Sequence, residues 1–202
     1  MKQGPMIAAI LAFLSVFALD EGGRPTHADD TIPQIAEGLE VICINGLCGY
    51  RDLKGKVVIR PQFEAARVFS SGLAAVKTGG KWGYIDKAGR FVIKPQFEDY
   101  GWFHEGLAPV QLHGLRGYID KTGKLVIPPQ FTLARPFSEG LAAVEIDGKW
   151  GYVDKAGNMV IKPQFRFATE FSKGRAQVRL EDRGAAIDKT GKVIQLFEKR
   201  KH

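Results

Sequence analysis

The stretch Lys81–Phe97, KWGYIDKAGRFVIKPQF, decides the fold, because the chain writes it more than once. It returns at Lys149–Phe165 as KWGYVDKAGNMVIKPQF, and in looser form at Leu115–Phe131 and Leu47–Phe63. The proline of Pro-Gln-Phe falls at Pro61, Pro95, Pro129 and Pro163, a step of 34 residues. The central glycine keeps the same step at Gly49, Gly83, Gly117 and Gly151, and Ala185 takes its place in a last, faded copy. A fixed period of this size marks a repeat architecture. Glu37-Gly38-Leu39 and its equivalents set the units at 37–70, 71–104, 105–138, 139–172 and a shortened 173–202.

Each unit reads as three strands. The first is an apolar run such as Leu73–Lys77, closed by a tight turn at Asn45-Gly46, Gly79-Gly80, His113-Gly114 or Asp147-Gly148. Such dipeptides supply the positive φ angles that a two-residue hairpin needs. In the second strand Trp82, Tyr84 and Asp86 alternate with Gly83 and Ile85, which puts the aromatics on one face. A second turn, Asp-Lys-x-Gly at 86–89, 120–123, 154–157 and 188–191, leads to the third strand. That strand, Phe91-Val92-Ile93, is apolar at three successive positions and predicts a strand covered on both faces; Pro-Gln-Phe is expected to end it. The fold class is therefore all-β: five three-stranded antiparallel meanders in an open, solenoid-like array. A small closed propeller-like ring is the alternative. The last unit, with Gly184-Ala185-Ala186 where Trp-Gly-Tyr stood, reads as a degenerate cap.

The beginning of the chain reads as an export signal. Met1 and Lys2 open it, Met6–Leu19 is an uncharged and mostly apolar run, and Thr26-His27-Ala28 offers small residues at a cleavage site. Residues 1–28 are thus the expected signal peptide, with an earlier cut after Ala18 as the alternative, and 29–36 a short polar linker. An uncleaved anchor is the rival reading, but a spanning helix needs about 20 apolar residues. The expectation is an exported bacterial protein, periplasmic or secreted, with no membrane span after cleavage. Its net charge of +7 favours acidic partners, although the basic residues are spread over every unit except for the run Lys199–His202.

Cys43 and Cys48 flank Ile44-Asn45-Gly46-Leu47, so a turn at Asn45-Gly46 sets them opposite each other in the close, non-hydrogen-bonded pairing. An oxidising compartment would join them. The rival is a metal site, which lacks neighbouring histidines and further cysteines.

The K-W-G-Y-[IV]-D-K-A-G core with K-P-Q-F, joined by Phe137–Ala142 (FSEGLA), resembles the bacterial WG (KWG) repeat family. The resemblance implies an all-β repeat protein that serves as a binding or scaffold module without an assigned reaction. The signature tryptophan stands only at Trp82 and Trp150; Cys48, Arg116 and Gly184 occupy the other copies.

A residue repeated in every unit is most simply required by the fold. The aspartates at 52, 86, 120, 154 and 188 could ligate calcium along the array, but the Asp-x-x-Gly turn already accounts for them. The repeated serines have no histidine in phase, and nothing resembles a phosphate-binding glycine loop. The chain is read as not an enzyme, with no cofactor and no metal. Departures from the repeat are better candidates. Tyr100, Trp102 and His104 replace smaller residues in the second connecting loop, and the next hairpin adds His113 and Arg116. Aromatics beside a cation suit a stacking surface for a sugar ring, a base or a protein loop; filling of a gap beside Gly101 is the alternative. The function expected is an exported, non-catalytic binding or scaffold protein that recognises a protein or a glycan through one face. The alternative is a basic binder of anionic polymer, cell-wall glycan or nucleic acid.

Overall fold

The computed structural model describes residues 35–197; the expected signal peptide, residues 29–34 of the linker and the basic run Lys199–His202 lie outside them. The described chain contains no helix and forms five small antiparallel sheets in succession. The first sheet holds β1 (Ile35–Ala36), β2 (Leu39–Ile44), β3 (Leu47–Asp52) and β4 (Val57–Phe63). The second holds β5 (Ala65–Ala66), β6 (Ala74–Thr78), β7 (Lys81–Ile85) and β8 (Phe91–Phe97). The third has three strands, β9 (Leu107–Leu112), β10 (Leu115–Asp120) and β11 (Leu125–Phe131). The fourth holds β12 (Leu133–Ala134), β13 (Leu141–Ile146), β14 (Lys149–Asp154) and β15 (Met159–Phe165). The fifth holds β16 (Phe167–Ala168), β17 (Ala176–Arg179), β18 (Gly184–Ile187) and β19 (Val193–Leu196).

The three expected strands of every unit are present. In the first sheet the added strand, β1, pairs Ala36 with Leu39, the place of the bridges Ser70–Leu73 and Ser138–Leu141 in later units, while the second, fourth and fifth sheets gain a short outer strand taken from the start of the connecting loop. In the third sheet it shrinks to a single bridge, Asp99 to Gln111. Pro109 explains the reduction. Its counterpart Ala75 lies on the side of β6 that meets the loop, where Ala75 O accepts from Arg67 N at 2.9 Å. A proline there has no N–H to offer that loop, and its ring fills the space against Gly101, where a Cβ would come within 2.5 Å of Pro109 Cγ.

Two expectations for the third strand are corrected. Pro-Gln-Phe does not end it: β8 runs through Pro95 to Phe97, which pairs with Trp82. Between the pairs Trp82–Phe97 and Tyr84–Ile93 the register jumps, so Lys94, Pro95 and Gln96 bulge over Gly83 alone. A Cβ on Gly83 would lie 2.5 Å from Ile93 O and 2.7 Å from Pro95 N. The glycine of Trp-Gly and the proline of Pro-Gln-Phe are thus two halves of one bulge. Nor is the strand covered on both faces. Ile93 is buried, whereas a second register shift leaves Phe91 and Val92 in solvent.

The core lies between sheets. One cluster joins Tyr50, Ile59 and Phe63 of the first sheet to Ala74, Val76 and Ile85 of the second. Others join second to third, third to fourth, and fourth to fifth in the same way. At each junction one sheet therefore presents aromatics and the next small aliphatics, and large side chains seat on small ones. No cluster links the fifth sheet back to the first among the described residues. The end faces explain why the array stays open. On the first sheet the cross-strand pair Glu40–Arg51, ion-paired at 2.6 Å, stands where the second sheet has Ala74 and Ile85. On the fifth, Gln177, Gly184 and Ala186 stand where the second has Ala75, Trp82 and Tyr84.

Buried tyrosines lock the connections. Tyr50, Tyr84, Tyr118 and Tyr152 each donate their hydroxyl to a carbonyl 17 residues on, at Arg67, Gly101, Arg135 and Thr169, over 2.7–2.8 Å. Burial pushes all four phenols well above their ordinary range. Each ring packs on the loop phenylalanine, Phe69, Phe103, Phe137 or Phe171, at centroid distances of 4.8–5.2 Å. The repeated aspartates close their turns: Asp86 Oδ1 accepts from Ala88 N and Arg90 N, both at 2.9 Å. Asp52, Asp120, Asp154 and Asp188 do the same. Cys43 and Cys48 are cross-strand partners and are joined by a disulfide.

Candidate interaction surface

The five residues singled out by their departure from the repeat all belong to the third sheet and the loop that enters it. Tyr100 packs into the second-to-third core, 4.2 Å from the Trp82 ring, with the Arg67 guanidinium against both rings at 5.2–5.3 Å. Arg67 also donates to the Tyr100 hydroxyl. Beside it Arg116, half-buried in place of a tryptophan, is paired with Asp99. Trp102 is half-buried in the same loop. His104 and His113 are exposed but sit before and after β9, whose six residues separate them by about 20 Å. Tyr100 and Arg116 therefore come together near Asp99, while the two histidines occupy opposite ends of the sheet. The His113 turn is held by Glu98, which accepts from His113 N and Gly114 N at 3.2 and 2.8 Å.

A second surface escaped the sequence reading. The strands β4, β8, β11, β15 and β19 are the free edges of their sheets. Each carries a pair of exposed apolar side chains at its start: Val57-Val58, Phe91-Val92, Leu125-Val126, Met159-Val160 and Val193-Ile194, all 36–45% exposed. Exposed cations flank the pairs, with Lys56, Arg90, Lys124 and Lys192 before them and Arg60, Lys94 and Lys162 after. Stacked sheets lie about 10 Å apart, so the pairs form a ladder crossing the strands. Buried repeated residues are explained by the fold, but exposed apolar ones at the same period are not. The signal was the apolar triplet itself, which the second bulge turns outward.

The edge does not invite another strand. Pro61, Pro95, Pro129 and Pro163 withdraw an N–H from it. The neighbouring glutamines fold back on the edge carbonyls, with Gln96 Nε2 donating to Lys94 O at 3.3 Å and Gln62, Gln130 and Gln164 doing the same.

At the same end of the sheets, glutamates tie units together at three of the four junctions. Glu37 Oε1 accepts from Gly72 N at 3.1 Å, and its other oxygen is 3.0 Å from Lys87 Nζ. Glu105 repeats this with Gly140 and Lys155, and Glu139 with Gly174 and Lys189. Burial raises the Glu37 and Glu105 carboxyls, but the lysine and amide hydrogen bonds outweigh it and the net shift is downward. For Glu139 the Gly174 amide leads the downward shift.

A profile of the family described as WG containing repeat matches residues 49–82, 82–115, 117–150 and 150–183, more than half of the chain. The chain belongs to the WG-containing repeat family. Its matches begin at the Trp-Gly position, so each spans parts of two successive sheets. Among solved structures, Kluyveromyces lactis Hsv2p is similar with a TM-score of 0.54 and 13% identity, over 75% of this chain and 58% of that one. A eukaryotic initiation factor is similar with a TM-score of 0.55 and 12% identity, over 78% of this chain and 50% of that one. The WG-repeat chain thus spans between half and three-fifths of these structures, and at such identities the likeness is one of fold alone. Comparison with curated protein sequences gave no match.

Proposed function

We propose that this WG-repeat protein is an exported, non-catalytic binding module that docks an acidic protein partner along the ladder of free sheet edges. The observation that carries the reading is the exposed apolar pair repeated on every sheet and flanked by cations. Aliphatic anchors within a polar rim are the composition of a protein-docking patch. The basic flanks repel a second copy of the same surface and attract an acidic one. Because prolines and glutamines block the edge backbone, the partner is held by side chains rather than by strand addition. The disulfide, and the lack of any helix long and apolar enough to cross a membrane among the described residues, fit export.

The test is capture from an envelope extract with residues 29–202 as bait, beside a Phe91→Ser/Leu125→Ser/Met159→Ser variant whose fold is checked by circular dichroism. A partner held by the parent at moderate salt and lost by the variant is the expected result. A partner held equally by both removes the ladder as the site. Capture that collapses with salt, and is indifferent to the variant, would point instead to an anionic polymer such as a cell-wall glycan.

A further inference from the structure

The glutamate ties described above occur at three of the four junctions between units, and the fourth keeps every part except the carboxylate. Each tie has a nest of two successive backbone N–H groups in left-handed conformation: Ser71-Gly72 at φ 56° and 85°, Glu139-Gly140 at 52° and 85°, Lys173-Gly174 at 53° and 74°. Such nests are concave toward anions. A lysine completes each one. Lys87, Lys155 and Lys189 are positioned by a second hydrogen bond, to the backbone carbonyl of the same glutamate, at 3.1, 3.0 and 2.9 Å.

At the junction between the second and third units, the nest is Glu105-Gly106, at φ 50° and 89°, and the lysine is Lys121. Lys121 Nζ bonds Ser71 O at 2.9 Å, the same anchoring as its equivalents. The residue that should supply the carboxylate is Ser71, whose hydroxyl turns to Phe103 O instead. Among the described residues Lys121 is in no ion pair, while Lys87, Lys155 and Lys189 each have one. Ser71, Glu105, Gly106 and Lys121 are all exposed, and His104 lies in the same turn.

We infer that the Glu105–Gly106 nest with Lys121 is a binding site for a carboxylate that comes from outside the chain. The ligand class follows from the three sister sites, which hold a carboxylate between the same donors. The backbone nest and the anchored lysine are preformed, so little ordering is needed on binding. The site is independent of the apolar ladder and stands or falls separately from it.

The test is a 1H–15N titration of the intact chain with acetate, with N-acetylglutamate amide and, as a contrasting anion, inorganic phosphate. The expected result is a saturable shift of the Glu105 and Gly106 amides with both carboxylates. The amides of Gly72, Gly140 and Gly174, already serving internal glutamates, should not respond. Ser71→Glu places the missing carboxylate on the chain and should abolish the response while leaving the fold intact, and Lys121→Ala should weaken it several-fold. The proposal is overturned by silence of Gly106 at roughly 0.1 M acetate, by an equal response at all four nests, or by a response to phosphate alone. Persistence of the full response in Ser71→Glu would overturn it as well.

Discussion

The third and fourth sheets are built to one 34-residue plan and solve the same problem differently. In the fourth, β12 pairs with β13, and Trp150 is buried with Arg135 over its ring at 5.1 Å. Glu105 ties its entering turn to the previous unit. In the third, the short strand is a single bridge, Arg116 and Asp99 replace the tryptophan packing, and the entering turn lacks its glutamate. The fourth spends its chemistry on cohesion. The third is held by the shared Tyr118–Phe137 lock and by Pro109 against Gly101, and it leaves polar groups at its surface. Where the buried part of the repeat is regular its side chains serve the fold, and where it departs they become available for something else.

The contrast is broken most directly at the tryptophan position. Trp150→Ala should cost about 3–5 kcal/mol, the usual loss for a large buried aromatic, whereas Arg116→Ala should cost less than ~1 kcal/mol. Urea denaturation of both variants measures the difference, and equal losses would mean that the two sheets are not built differently after all. The next largest effect belongs to Gly101. A Cβ there meets Pro109 at 2.5 Å, so Gly101→Ala should destabilise by about 1–3 kcal/mol. A double-mutant cycle with Pro109→Ala should recover part of that loss, since Ala75 and Arg67 coexist at the equivalent positions. Additive costs would remove the coupling. Tyr118→Phe and Tyr152→Phe should cost alike, about 1 kcal/mol each, because both sheets make the same hydroxyl-to-carbonyl bond. Unequal costs in the same denaturation experiment would show that the lock is not shared.

The smallest effect is one of pH. The Glu105 carboxyl is lowered in the folded chain below its ordinary 4.5. Its contribution is therefore present above that value and is lost as the pH falls through the folded one. Glu105→Gln should accordingly shrink the drop in urea midpoint between about pH 7 and about pH 3.5. Ser71→Gln, at the junction without a carboxylate, should leave that drop unchanged. An identical pH response in Glu105→Gln and the parent would show that the tie contributes no acid sensitivity.

Much of the fold was legible in the residues. The hairpin at Asn45-Gly46 and the Asp-Lys-x-Gly turns follow from local conformational preference, and the Cys43–Cys48 bond follows from the first of these. The candidate sites were less legible. Tyr100 and Arg116 stood out as departures from the repeat, but the partner of each, Arg67 for Tyr100 and Asp99 for Arg116, comes from the preceding unit. The ladder was misread because Phe91-Val92-Ile93 has the composition of a covered strand, and its exposure depends on a bulge fixed by pairing across β7 and β8. Ser71 was visible as a serine among glutamates, yet its meaning required knowing that Glu37, Glu105 and Glu139 reach a lysine 50 residues away.

The sequence by itself determined the period, the all-β class, the turns and the degenerate last unit, because these rest on local preference and on which residues depart from the repeat. Tertiary structure alone decided that Gly83 and Pro95 share one bulge, that aromatics of one sheet seat on the alanines and valines of the next, and that one of the four nests at unit junctions lacks its carboxylate. Those facts depend on contacts between residues well separated along the chain, within one unit or across units, and a chain carries no local mark of what it will meet at that distance.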